Sequence, residues 1–138
     1  MSKRDIYHDT VKSALIKEGW MITHDPYVFQ TDPKLAADLG AERLMAAERG
    51  YEKIVVEIKS FRRASQVVDL EEAIGQYSLY NIFLRQRDPE RRLYLAVPRH
   101  AFDNILNREV GRIAIEGLKI HLIVYSLSEE EPLQWKPQ

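Results

Sequence analysis

Glu57 and Lys59 stand two positions apart at the end of the apolar run Ile54-Val55-Val56-Glu57-Ile58-Lys59. Side chains alternate along a β-strand, so Val55, Glu57 and Lys59 share one face while Ile54, Val56 and Ile58 share the other. Taking a charge out of water is costly. An apolar strand with a carboxylate and an ammonium on one face therefore pairs them or uses them to hold an ion. Two chemistries are open: an internal salt bridge at a strand end, or half of a metal-dependent active site. The tripeptide alone does not decide, since about one acid-x-Lys is expected by chance at this length and composition. A second one, Asp32-Pro33-Lys34, is assigned to a loop by its proline. Position at the end of a buried strand is what sets Glu57 and Lys59 apart.

Two further features point to the same chemistry. Asp38 opens the preceding apolar segment, Ala36-Ala37-Asp38-Leu39-Gly40-Ala41-Glu42. If that segment and residues 53–59 pair as a hairpin, Asp38 falls toward the sheet end that carries Glu57 and Lys59. Two carboxylates there would supply hard oxygen ligands for Mg²⁺ or Mn²⁺, and the Ile58 carbonyl a third. Glu42 competes with Asp38, because a one-residue slip or a bulge exchanges them. Downstream, Gln76 and Tyr80 are four apart on a helical pattern and project from one face.

The elements that must position these groups follow from periodicity. Residues 4–18 read as a helix with Ile6, Val11, Ala14 and Leu15 on one face and Gly19 as its stop. Residues 20–24 are β-prone, end at Asp25-Pro26, and extend through Tyr27-Val28-Phe29 if the strand resumes. Residues 39–47 and 53–59 read as two strands about an Arg49-Gly50-Tyr51-Glu52 turn, although the alanines of the first also suit a helix. Residues 66–87 form the clearest helix, with Leu70, Ala73, Ile74, Tyr77 and Leu84 in period. Residues 93–97 are a short strand, 100–116 one or two helices broken near Gly111, and 120–125 a final strand. The tail beyond is acidic and held by Trp135.

The strand at 53–59, crossing through a long helix to the strand at 93–97, predicts a parallel unit. The fold class expected is α/β: a mixed central sheet flanked by helices, in one domain over residues 1–138.

Composition narrows the function. The chain is 45% hydrophobic and 30% charged, with net charge −1. Bulk electrostatics thus demand no nucleic-acid partner, although local patches steer binding more than totals do. The absence of cysteine excludes disulfides, thiolate nucleophiles and zinc–thiolate sites. No apolar stretch is long enough for a bilayer and no leader precedes Met1, so a cytoplasmic protein without membrane partners is expected. His8, His24, His100 and His121 show no ligand spacing. Arg62 and Arg63 follow the Glu-x-Lys strand and suit either phosphate contact or a solvated loop. Arg85, Arg87, Arg91 and Arg92 are interleaved with Asp88 and Glu90, which predicts a solvated face. The acidic run Glu129-Glu130-Glu131 reads as solvated too.

The arrangement Asp38 … Glu57-Ile58-Lys59 … Gln76-x-x-x-Tyr80 resembles the PD-(D/E)xK nuclease superfamily of restriction-endonuclease-like fold, the last pair matching the Gln-x-x-x-Tyr element of its RecB-type members. Alanine stands where that pattern has proline before Asp38, and Asp5, Asp9 and Glu18 all compete for its upstream acid. The chain is also similar to the XisH family, the cyanobacterial fdxN element excision controlling factors. That likeness lies in Ile6-Tyr7-His8-Asp9, Ala14-Leu15-Ile16-Lys17, Asp38 through Leu44, Val56 through Phe61, and Gly75-Gln76-Tyr77.

The resemblance implies a role in developmentally controlled, site-specific excision of a DNA element, with a partner of the XisI type and a separate recombinase. It further implies a Mg²⁺ or Mn²⁺ site at Asp38, Glu57 and the Ile58 carbonyl, with Lys59, Gln76 and Tyr80 completing the catalytic set. Hydrolysis of DNA phosphodiesters is the activity it suggests, and a homodimer would supply two sites for cutting a duplex. The alternative is a catalytically silent protein of the same fold that binds DNA or recruits the recombinase or partner. A third reading is an α/β interaction module in which Glu57 and Lys59 are only an ion pair.

Overall fold

The structure, a computed structural model, describes residues 3–33, 35, 44–127 and 130–136, with side chains from residue 6 onward. Helix α1 (Lys3–Lys17) is followed by Gly19 at φ 94°, in the left-handed region that glycine adopts without a Cβ penalty. Strands β1 (Met21–His24), β2 (Leu44–Arg49) and β3 (Glu52–Ile58) lead to the long helix α2 (Gln66–Arg87). Strand β4 (Arg91–Pro98), helix α3 (Arg99–Asp103), a 3₁₀ turn (Ile105–Asn107) and helix α4 (Glu109–Gly117) come next, followed by β5 (Leu122–Tyr125) and β6 (Leu133–Lys136).

The six strands lie in sequence order in one mixed sheet. β1–β2, β2–β3 and β5–β6 pair antiparallel, whereas β3–β4 and β4–β5 are parallel. The crossover through α2 therefore joins parallel neighbours, as the strand–helix–strand pattern predicts. Both central strands bury apolar residues on both faces, as expected where helices cover each side. Val55, Leu93, Leu95 and Val97 face α2 and α4, with Leu70, Ala73, Tyr77, Leu84 and Ile115 packed on them. Ile54, Val56, Ile58 and Ala96 face the other way, under Val11, Ala14 and Leu15 of α1. The alternation read from residues 54–59 is thus the alternation of two cores.

Local signals explain most of the boundaries. Gly50, at φ 59°, and Tyr51 form the two-residue turn between β2 and β3, with Arg49 opposite Glu52. The Ser65 hydroxyl caps α2 by accepting from the Val68 N–H at 3.3 Å. Four expectations need correction. Within the described residues β2 runs Leu44–Arg49, beyond the end at Ala47, while residues 36–43 lie outside them. Tyr27-Val28-Phe29 is not a strand; its rings turn into the core, Phe29 stacking on Tyr80 at 5.8 Å.

The helical stretch after β4 breaks at residues 104–108, not at Gly111. Gly111 is where α4 crosses the 3₁₀ turn, so closely that a Cβ would lie 2.2 Å from the Ile105 carbonyl oxygen. β5 is not the last strand, because the tail returns as β6. Trp135 does hold it: the ring stacks on Trp20 at 5.7 Å and its Nε1–H donates to Glu18 at 2.9 Å.

Candidate functional site

Strand register places Glu57 between Leu44 of β2 and Leu95 of β4, on the face covered by α2. Its side chain is only 1% exposed. Two residues on, where β3 ends, the Lys59 ammonium lies 3.9 Å from Glu57 Oε2. The same ammonium donates to Gln76 Oε1 from α2. Lys59 is held by its backbone as well. Its N–H donates to the Ala96 carbonyl at 2.9 Å, and its carbonyl accepts from the Tyr125 hydroxyl at 2.8 Å. Groups from β3, β4, β5 and α2 therefore converge on one lysine.

Helix α2 presents Gln76 to that lysine because the next residue locks its rotation. The Tyr77 hydroxyl donates to the Leu93 carbonyl at 3.0 Å and accepts from the His121 N–H at 3.2 Å. Burial above all, and also the nearby Glu57 charge, raise the Tyr77 pKa, so the phenol keeps the proton that it donates. The loop leaving Lys59 turns at Phe61, φ 51°, whose carbonyl lies 3.0 Å from His100 Nε2. From the sequence Tyr77 reads only as part of the helical period and the family likeness, His100 as a histidine without ligand spacing and Tyr125 as the end of a strand; none is assigned to the site. No spacing marks them, because each acts through strands brought together only by the fold.

The remaining candidates are distributed as follows. Tyr80, one turn beyond Gln76, is buried and stacks on Phe29. Asp38 and Glu42 lie outside the described residues. The chain that carries them joins the sheet at Leu44, directly opposite Glu57. Of the three candidates on and just after the first helix, the Asp5 side chain is not described and Asp9 is exposed. Glu18 accepts the bond from Trp135, on the α1 side of the sheet. Among the described residues no cluster of three His, Asp or Glu could hold a metal ion.

Glu57 is nevertheless the right kind of donor for a hard cation, an oxygen anion beside the Ile58 carbonyl at the end of a strand.

Other charged clusters serve the fold. Arg91, expected on a solvated face, is 5% exposed. Its guanidinium reaches Asp88 at 2.8 Å, Glu48 at 3.0 Å and the Ile54 carbonyl at 3.3 Å. A planar five-donor fork can satisfy all three at once, which is why an arginine is buried there. Arg85 bonds the Arg91 and Pro89 carbonyls, and Arg87 that of Gln30. His8 and Lys12 of α1 meet Asp25 at 3.0 and 2.8 Å. Burial alone would push the Asp25 carboxyl up, but the bonds from Lys12 and His8 bring it below its ordinary value.

The fold and the site together define an α/β domain with a central acid-x-Lys strand in a mixed sheet, under a crossover helix. The chain belongs to the XisH family, whose model, described as XisH protein, matches residues 1–133. It is 37% identical to an XisH family protein from Nostoc punctiforme PCC 73102, with a TM-score of 0.84 over 94% of this chain and 98% of that one. It is 35% identical to an fdxN element excision controlling factor protein from Anabaena variabilis, with a TM-score of 0.84 over 95% of this chain and 98% of that one. No match was found among curated proteins. Among the described residues no helix is long and apolar enough to cross a membrane.

Proposed function

We propose that this chain takes part in the site-specific excision of a DNA element, the role in the name of its Anabaena relative, and that it hydrolyses DNA phosphodiesters at Glu57 and Lys59. The observation that carries the reading is a buried carboxylate 3.9 Å from an ammonium that four elements hold in place. A fold that needed only a salt bridge could place it at the surface, where two exposed chains would meet without desolvation. Glu57, the Ile58 carbonyl and Asp38, or Glu42 in its stead, would hold Mg²⁺ or Mn²⁺. Such an ion, when bound, neutralises phosphate charge and makes water more acidic.

The protein's own groups do the rest. Lys59 orients the attacking water or stabilises charge developing on the phosphorus oxygens. Gln76 keeps the ammonium on the site side of the strand. Tyr80, by stacking on Phe29, steadies the loop that follows β1.

The competing reading is a silent site that retains the fold and recruits a recombinase or an XisI-type partner. It is favoured by the engagement of Lys59 with both Glu57 and Gln76. Nicking of supercoiled plasmid with and without Mg²⁺ or Mn²⁺ separates the two. Metal-dependent nicking that is lost in Lys59→Ala supports hydrolysis. Full nicking by Lys59→Ala, or none by the wild type, refutes it.

A further inference from the structure

Beyond the Glu57–Lys59 site, a groove of about 420 Å³ opens between the start of α2 and the start of α4. Arg63, Gln66, Val67, Asn104, Ile105 and Arg108 line it. We propose that this groove holds the phosphodiester backbone of a nucleic-acid strand whose neighbouring phosphate lies at Lys59. The assignment rests on the nucleic-acid reading of that site but not on its hydrolytic activity.

Four observations carry it. The groove's walls combine guanidinium and amide donors with the apolar Val67 and Ile105, the pairing that a phosphate and its sugar require. Of the cations, Arg63 is shared with Glu72 at 2.6 Å and Asp69 at 3.7 Å. Arg62, Arg108 and Arg112 are exposed, and no acid among the described residues pairs with any of them. Glu109 lies beside Arg108 in sequence, and no acid is among the residues that line the groove.

The spacing also fits. Arg63 is four residues from Lys59, at most about 14 Å of chain. At about 3.4 Å per nucleotide along one strand, the groove lies within roughly four nucleotides of the lysine. Finally, the loop between them is not free to move the groove away, because His100 of α3 meets the Phe61 carbonyl at 3.0 Å. Guanidinia suit this task, since their planar fork can give two parallel bonds to one phosphate.

The test uses the full chain with EDTA, so that nothing is cut, and a short fluorescein-labelled duplex or single strand read by fluorescence anisotropy across a KCl series. Arg62→Glu with Arg108→Glu should weaken binding roughly tenfold or more at low salt. The slope of log K against log salt should fall by about one for each arginine reversed. Both arginines are exposed, so the variant should melt with the wild type.

Unchanged affinity and slope overturn the proposal, as does a wild-type chain that binds neither probe at low salt. Inorganic polyphosphate that binds as tightly as either strand also overturns it, in favour of a general anion surface. Weakened binding by the reversals with no nicking by the wild type leaves the groove standing and removes hydrolysis. Nicking lost in Lys59→Ala but binding untouched by the reversals does the opposite.

Discussion

The Glu57–Lys59 pair can be tested by a double-mutant cycle in which Lys59→Met and Glu57→Gln are made singly and together. At 3.9 Å the attraction between the two charges is about 4 kcal/mol in an effective dielectric of about 20. The Lys59 side chain is 12% exposed and that of Glu57 1%, so solvent screens the pair only slightly. Removing the ammonium leaves the carboxylate buried without the charge that faces it, and we expect Lys59→Met to cost about 3 kcal/mol. For a chain of this size that is a fall of roughly 9 °C in Tm.

Glu57→Gln introduces a neutral side chain of nearly the same shape beside an ammonium that Gln76 still accepts, and should cost about half as much. The double variant should be little worse than Lys59→Met alone, which gives a coupling energy of about 1 kcal/mol. Urea unfolding followed by fluorescence of the stacked Trp20 and Trp135 reads all four proteins. Additivity within about 0.5 kcal/mol would refute the ion pair. Losing Lys59 costs folding as well as chemistry, so activities must be compared well below each variant's Tm.

Tyr77→Phe removes the hydroxyl that joins β4 to the start of β5, and should cost about 1–3 kcal/mol by urea unfolding, with faster amide exchange at His121. Gly111→Ala places a methyl 2.2 Å from the Ile105 carbonyl oxygen and 2.7 Å from Leu106 Cα. The backbone must move, so a loss of about 1–3 kcal/mol is expected, whereas Gly117→Ala, with open space around it, should be near neutral or stabilising. Asp25 has a folded pKa below its ordinary value of 3.8, so its ionised form contributes stability that is fully present above that value. That contribution is lost as pH falls through the lower folded value. Melting temperatures measured between neutral pH and about pH 3 should therefore fall less steeply in Asp25→Asn than in the wild type.

Periodicity made the long helix legible end to end, because residues 66–87 bury one face. The two faces of residues 54–59 were legible for the same reason, since alternation is a property of the strand itself. The break after β4 was not, because glycine usually ends a helix, yet Gly111 stands inside one to admit a neighbouring carbonyl. Nor was the burial of Arg91, which depends on acids and a carbonyl from β2, β3 and the α2–β4 turn. β6 escaped notice because its four residues are short and half-polar; they become a strand only where β5 offers an open edge.

The sequence by itself determined that Glu57 and Lys59 share one face of an apolar strand and that Gln76 lies on a helix able to cross it. It also carried the resemblance to the XisH family. Only the tertiary structure decided that Gln76 grips the Lys59 ammonium, that Tyr125 grips the carbonyl of the same residue, and that Tyr80 turns into the core against Phe29. Alternation and helical period are local, set by backbone geometry a few residues at a time. Which side chains meet depends on strand register and helix rotation, and those are fixed by contacts between segments far apart in the chain.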